Sequence, residues 1–324
     1  MRLSRLILIF SEMLLLASCA TTRIPAKGEP IRVGATSEGT ITMRELPLEQ
    51  YVAGVLAKEV PTDWPIEVLK AQAVATRTYA VYRKLNPRDK RFDVTADTND
   101  QVFESKSRHG QNIARAVMET EGEVLASDGK VFETFFHSCC GGTTESADEV
   151  WPGRHPEPLL SIRDDPYCNA CPPNHWDYTV SREQLAGLLR AKGYPVDVEW
   201  TLEAARKDAS GRVQQIALKI PKQKPILIPG AKFRQIVGYT NLKSTLFDLL
   251  ATTDEIVFTG RGAGHGVGLC QWGAKGMADE GKSYREILEF YYPGADLQSP
   301  RHTTSTSEPV SQEKAILQDL QGSD

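Results

Sequence analysis

Residues 48–60 (LEQYVAGVLAKEV) carry apolar side chains at Tyr51, Val52, Val55 and Leu56, the i, i+3, i+4 spacing of an amphipathic helix. The next position on that stripe is Glu59, and Pro61 then ends the helix, leaving the carboxylate near an open end. A carboxyl aimed at apolar surface is desolvated, which raises its pKa. An acid that keeps its proton near neutral pH is what general-acid catalysis requires. The same pattern also fits a boundary glutamate turned to solvent or bound to an arginine.

Elsewhere the pattern alternates between short strands and helices. Residues 31–43 read as two strands around Gly39, and residues 65–85 as an alanine-rich helix opened by Pro65. Residues 93–103 are polar and turn-like, and 112–121 helical. Residues 123–125 and 131–136 form a hairpin around Asp128-Gly129, a type I′ signal. Residues 181–210 read as two helices with a turn at 193–195, the first capped by Ser181 with Gln184 at the third position. Strands at 213–220 and 225–227, a helix at 231–237, strands at 247–250 and 256–259 and a helix at 283–291 complete the chain. There is no regular β–α alternation, so the expected class is α+β: mixed helices and short antiparallel strands, one large domain with a β-rich inserted or second subdomain.

The N-terminus carries Arg2 and Arg5, then an apolar run over residues 6–16 interrupted by Ser11 and Glu12. The run is short for a bilayer span and reads as a secretory signal. It ends in Leu16-Ala17-Ser18-Cys19, which resembles a lipobox, so residues 1–18 are expected to be a signal peptide and Cys19 the lipidated first mature residue. The expected address is the cell envelope, as an exported lipoprotein held at a membrane by its acyl chains. Ala20 directs it to the outer membrane or periplasmic face in a cell that has one. An ordinary signal peptide with a chance cysteine is the alternative. Residues 19–30 read as a tether, and residues 298–324 as a disordered tail rich in Ser, Thr and Pro. The net charge of −4 comes without a long basic block, which argues against nucleic acid as a partner.

Six cysteines are present. His137-x2-Cys140 and Cys168-x2-Cys171 form two half-sites separated by 27 residues, the paired spacing of a structural Zn2+ site. A closed, thiolate-rich tetrahedron leaves no open position, so the metal would not be the catalyst. A disulfide also suits an exported chain, and free thiols are a third reading. Cys139 is a substitute for Cys140, and Cys270 reads as a packed small residue.

Residues 260–274 (GRGAGHGVGLCQWGA) hold six glycines. No Gly-Lys-Ser/Thr follows, so this is not a P-loop, and the acidic partner of a dinucleotide fingerprint is missing. Between the glycines lie His265, Gln271 and Trp272. An aromatic platform with imidazole and amide groups suits a carbohydrate. A tight structural turn with a packed tryptophan is the alternative.

Residues 46–80 (LPLEQYVAGVLAKEVPTDWPIEVLKAQAVATRTYA), 97–103 (DTNDQVF), 135–151 (FFHSCCGGTTESADEVW), 233–247 (FRQIVGYTNLKSTLF) and 260–295, in that order, resemble the stage II sporulation protein D family, which includes an amidase-enhancer branch. The resemblance covers most of residues 31–297. It divides them into an N-terminal part with the glutamate and the Cys/His site (31–180), an inserted α/β part (181–255), and the glycine-rich loop with a closing helix (256–297). It implies a lytic transglycosylase that cuts peptidoglycan glycan strands, preferentially those stripped of stem peptides, in wall remodelling or cell separation. The implied catalytic residues are Glu59 and Arg77, with His265, Gln271 and Trp272 binding substrate. It also implies zinc held near the CGG turn, at His137 and Cys140; Cys168 and Cys171 are added by spacing. Relatives often carry another small residue at the position of Cys139, which leaves open which thiolate binds. The amidase-enhancer branch suggests the other function, a non-catalytic glycan-binding protein that stimulates a cell-wall amidase. A zinc peptidase would need a His-Glu-x-x-His pattern, which is missing.

Overall fold

The computed structural model describes residues 29–299 except 38–39, 98–99, 104–109, 154–159 and 197–198. The signal segment, Cys19, the tether to residue 28 and the tail from residue 300 lie outside the described residues. Among those described, eight α-helices form: α1 (Leu48–Glu59), α2 (Ile66–Leu85), α3 (Gln111–Glu119), α4 (Ala147–Val150), α5 (Arg182–Arg190), α6 (Gly230–Val237), α7 (Gln271–Asp279) and α8 (Tyr284–Tyr291). With several small, mostly antiparallel sheets, the fold is α+β.

Two large hydrophobic cores organise it, with two smaller clusters packed beside the first and counted with it below. In the first, α1 buries Tyr51, Val52, Val55 and Leu56, and α2 meets it with the fully buried small residues Ala71, Ala73, Ala75 and Ala80. Small side chains let helix axes approach closely, so the alanine-rich stretch is a packing device as well as a helix former. α3 closes on both through Ile113, Ala114 and Val117. Strands Pro30–Ser37 and Thr40–Pro47 pair antiparallel from Pro30 opposite Pro47. The hairpin Val124–Ser127 and Lys130–Val131 turns through Asp128 (φ 48°) and Gly129 (φ 73°), both left-handed as a type I′ turn demands. Asp296–Gln298 adds to the other edge of Val124–Ser127, so this last described strand returns to the first core. Residues 30 and 298, read above as tether and tail, are therefore strand residues.

The second core gathers Trp176, Phe233, Phe247, Phe258, Ile216 and Leu218. One sheet orders Phe247–Ala251, Glu255–Gly260 and Trp176–Ser181; another orders Ile226–Pro229, Val213–Lys219 and Thr201–Lys207. The Ser181 hydroxyl accepts from the Gln184 N–H and caps α5, as the sequence suggests.

Two expectations fail here for physical reasons. Residues 201–207 are a strand, not a second helix: Leu202 is buried between exposed Thr201 and Glu203, and Val213–Lys219 offers a partner edge that overrides the helical preference of Glu-Ala-Ala-Arg. The glycine-rich segment runs into α7, which its glycines hide from sequence reasoning. Gly273 and Gly276 are required there because a Cβ would strike Asp165 and Tyr291 at the first and the Tyr167 carbonyl at the second.

Candidate active site in the groove between the two cores

A cavity of about 950 Å³ lies between the cores. Glu59 at the end of α1, Trp151 after α4 and His265 line one side; Gln214, Arg234 and Tyr239 line the other. A neighbouring cavity of about 810 Å³ shares Asp100, Phe136, Trp151 and His265, so the two form one elongated groove.

Glu59 is largely buried, and desolvation raises its pKa; hydrogen bonds from Gln271 and from the backbone of Val102 oppose that rise without cancelling it. The Gln271 Nε2 donates to Glu59 Oε2 at 3.3 Å and reaches Gln72 Oε1 at 3.5 Å. Gln72 donates in turn to Thr76 Oγ1 at 3.3 Å. Gln271 is the first residue of α7, and Gln72 and Thr76 lie on consecutive turns of α2. The acid is thus oriented by two helices besides its own. Tyr51 donates to Gln101 Oε1 at 2.9 Å and fixes the backbone that delivers the Val102 N–H.

Two imidazoles meet each other in the groove that this acid lines. The Val267 N–H donates to His265 Nδ1 at 3.0 Å, so that nitrogen is the acceptor. Burial lowers the His265 pKa well below its ordinary value and keeps the ring neutral. His137 sits 5.5 Å from it between ring centroids, and Trp151 at 5.1 Å. His137 Nδ1 faces the Val267 carbonyl at 3.1 Å and carries the proton there; its Nε2 is buried without a partner among the described residues. Burial, then the charge of Arg212, pushes His137 down to about 4.

Glu59 and His265 therefore meet in one groove. Gln271 is buried behind Glu59, a support for the acid more than a surface for ligand. Trp272 packs edge-on against Trp64 at 4.9 Å and does not line the groove; the groove's tryptophan is Trp151, stacked on Phe135 at 4.5 Å. Arg77 is fully buried and does not reach Glu59. Its Nε and Nη2 donate to Glu49 at 2.9 and 2.6 Å and its Nη1 to the Glu123 carbonyl at 3.1 Å. Glu49 lies about 15 Å along α1 from Glu59, so Arg77 anchors the opposite end of that helix. Sequence reasoning missed Trp151, Arg234 and Tyr239, for which no local pattern gives a signal.

The cysteines converge, but not as the spacing suggests. Cys139 and Cys171 form a disulfide. Cys140, Cys168, Cys270 and Asp165 are all buried, with donor atoms within 4.8 Å of one another. The set His137, Cys140, Cys168, Cys171 is thus not assembled: the His137 ring turns to Val267, and Cys171 is taken by Cys139. Asp165 and Cys270 stand in their places, because Leu269–Cys270 pairs in parallel with Phe136–His137 and lays Cys270 beside the 137–140 turn. These groups could hold a metal, since a tetrahedral zinc with bonds of about 2.3 Å needs donor separations of roughly 3.8 Å. The Cys168 and Cys270 sulfurs are 3.4 Å apart, and the Cys140 thiol donates to Asp165 Oδ2 at 3.2 Å. Hydrogen bonding from Cys140 and Cys270 favours the thiolate at Cys168, while the Cys140 and Cys270 thiols are pushed up.

The fold and groove define a class: two-core α+β proteins that seat a desolvated carboxyl beside a histidine-bearing glycine loop. Residues 36–126 match the family described as Stage II sporulation protein, and residues 159–268 match a domain of unknown function, DUF8618. An uncharacterised protein of Brachyspira hyodysenteriae is 37% identical over 270 residues, 83% of this chain and 71% of its own length. Stage II sporulation protein D of Bacillus amyloliquefaciens is 30% identical over 292 residues, 84% of this chain and 80% of that one. The amidase enhancer of Bacillus subtilis is 30% identical over 295 residues, 76% of this chain but 40% of its own. The chain belongs to the stage II sporulation protein D family. No helix among the described residues is long and apolar enough to cross a membrane.

Proposed function

We propose that this protein is a lytic transglycosylase of peptidoglycan glycan strands, with Glu59 as its single acid and base. The observation that carries the reading is a desolvated carboxyl on an elongated groove that a neutral imidazole also lines. Protonated Glu59 donates to the oxygen between N-acetylmuramic acid and N-acetylglucosamine, and the C1–O bond breaks through an oxocarbenium-like state. The Glu59 carboxylate, stabilised by the Gln271 and Val102 N–H groups, takes the proton of the muramyl C6 hydroxyl. That oxygen closes on C1, giving a 1,6-anhydro sugar without consuming water. Trp151 offers the sugar a stacking face, and the His265 ring, held by the Val267 N–H and the Phe136 backbone, shapes the wall beside it. Arg77 serves by holding α1 in place through Glu49.

Zinc fits the donor chemistry of Cys140, Cys168, Cys270 and Asp165, and a fully occupied tetrahedron supplies structure, not catalysis. Cys19, as a lipidated residue, would place the groove at the cell envelope. The amidase enhancer among the relatives supports a second reading, a glycan-binding protein that stimulates a cell-wall amidase.

Purified protein on peptide-free glycan strands, with products read by mass spectrometry, separates the two. Anhydro products from the wild type, falling at least about 10³-fold in Glu59→Gln, support the enzyme. Undiminished turnover by that variant removes Glu59 as the acid. Stimulation of an amidase with no anhydro product leaves only the second reading.

A further inference from the structure

Arg234, on α6, lines the same groove as Glu59. One edge of its guanidinium is committed: Nε donates to the Leu242 carbonyl at 2.7 Å and Nη2 to the Lys243 carbonyl at 2.7 Å, which leaves the Nη1 end. Its flat face lies over the Tyr239 ring, 4.7 Å from the centroid. Among the described residues it has no carboxylate partner. The buried arginines differ from this half-buried one: Arg77 is paired with Glu49, Arg83 stands between Asp100 and Glu133, and the charge of Arg212 feels Glu145 and Asp208. Burial brings the Arg234 pKa down to about 10, which still leaves it charged at neutral pH.

A rigid, partly desolvated cation with a free edge on a ligand groove is a receptor for an anion, because a guanidinium matches a planar carboxylate with paired N–H donors. Asp100, Asp148 and Glu149 also line the groove, but a neutral sugar would leave the guanidinium without a direct anionic partner. Arg234 also lies close enough to His265 for its charge to depress that imidazole, so it sits near the glycine-loop end of the groove.

We propose that Arg234 is the groove's carboxylate-recognition residue and that Tyr239 holds its guanidinium in register. The ligand is a carboxylate carried by the bound glycan strand. This rests on the glycan-cleaving reading above and gives the region of unknown function a role, as the wall that reads the substrate's charge. Two sources offer that chemistry, the lactyl ether of an unsubstituted muramic acid and the free end of a stem peptide. Amide linkage of a peptide removes the first and adds the second.

The test is calorimetric binding by the full chain carrying Glu59→Gln, which prevents turnover. The probes are an alternating muramic acid–glucosamine tetrasaccharide as the free acid, the same sugar with its carboxylates capped as methylamides, the same sugar bearing stem peptides, and neutral chitotetraose. The free acid is expected to bind about tenfold or more tighter than the methylamide. Arg234→Gln should erase that preference and leave chitotetraose affinity unchanged. If the peptide-bearing sugar is the tight ligand, and loses its advantage in Arg234→Gln, the carboxylate comes from the peptide end. Equal binding of acid, methylamide and peptide forms overturns the proposal without any change at Arg234, so a misfolded variant cannot rescue it. A preference that survives in Arg234→Gln also overturns it. Both results leave the glycan reading standing, whereas failure to bind any of the four sugars removes both.

Discussion

On the α1 side of the groove burial acts on a carboxyl; on the α6 side it acts on a guanidinium. Desolvation disfavours the charged form in both cases, raising Glu59 and lowering Arg234. The outcomes diverge because the starting points differ. A carboxylate titrates close enough to neutrality for burial to favour its protonated, proton-donating form. An arginine starts so far above neutrality that the same cost leaves a fixed cation. One physical effect thus equips one wall to give a proton and the other to hold a charge. The walls are also built differently. The first is cross-tied by five buried cysteines, and the second is held by an aromatic core without a cysteine among the described residues.

The largest expected effect comes from removing that cross-tie. Cys168 belongs to the four-residue donor group, and its sulfur lies 3.3 Å from that of Cys139 in the disulfide, so it ties together the 137–142 turn, the 3-10 turn Pro166–Ala170 and the start of α7. Cys168→Ala is expected to drop bound zinc from near one equivalent to near none and to cost on the order of 4 kcal/mol of stability. Metal analysis and thermal melting check this. A wild type that purifies without zinc, or a variant that melts with it, would show that the wall stands on packing and the disulfide alone.

The contrast between the walls also marks what the sequence makes legible. Glu59 stands out because it interrupts an apolar stripe just before Pro61, and local periodicity survives into the fold. The 128–129 turn and the Ser181 cap are local in the same sense. The group of Cys140, Cys168, Cys270 and Asp165 is not: Cys270 reaches it through the pairing of residues 269–270 with 136–137, and Asp165 through its N–H to the Gly142 carbonyl at 2.9 Å, both contacts between separated segments. Trp272 and Trp151 look alike in sequence, yet one packs on Trp64 and the other faces the groove. Arg234 sits in an ordinary helical stretch. Only the carbonyls of residues 242 and 243, and the lack of an acid partner among the described residues, distinguish it from a solvated arginine.

A smaller change sharpens the account of the first wall. The Gln271 N–H favours the ionised form of Glu59, so Gln271→Ala should raise the acid's pKa further. The descending alkaline limb of the kcat profile then moves to higher pH, while the rate at its optimum falls by about tenfold from lost orientation. A purely structural role would lower the rate without moving the limb, and kcat measured across pH distinguishes the two.

The smallest effect lies at the seam where the walls meet. Glu145, fully buried beside the glycine loop, accepts from Ser210 Oγ at 2.7 Å and shares a hydrogen bond with Asp208, both on the turn that leads to Arg212. Burial, then the shared bond with Asp208, raises its pKa from 4.5 to about 7. A carboxyl raised in the folded state contributes stability that is fully present below its unfolded value and is lost as pH climbs through the folded one. The seam should therefore weaken between about pH 4.5 and pH 7, when Glu145 ionises against Asp208. Glu59 slopes the same way, so the informative quantity is the difference between wild type and Glu145→Gln. That variant keeps the Ser210 contact and cannot ionise. It should match the wild type at pH 4 and exceed it at pH 8 by on the order of 1 kcal/mol, a modest figure because water reaches half-buried Asp208. Denaturant melts at the two pH values measure it. Parallel curves would mean that Arg212, which donates to the Cys140 carbonyl at 2.8 Å and the Thr143 carbonyl at 3.0 Å, holds the walls together whatever the charge on Glu145.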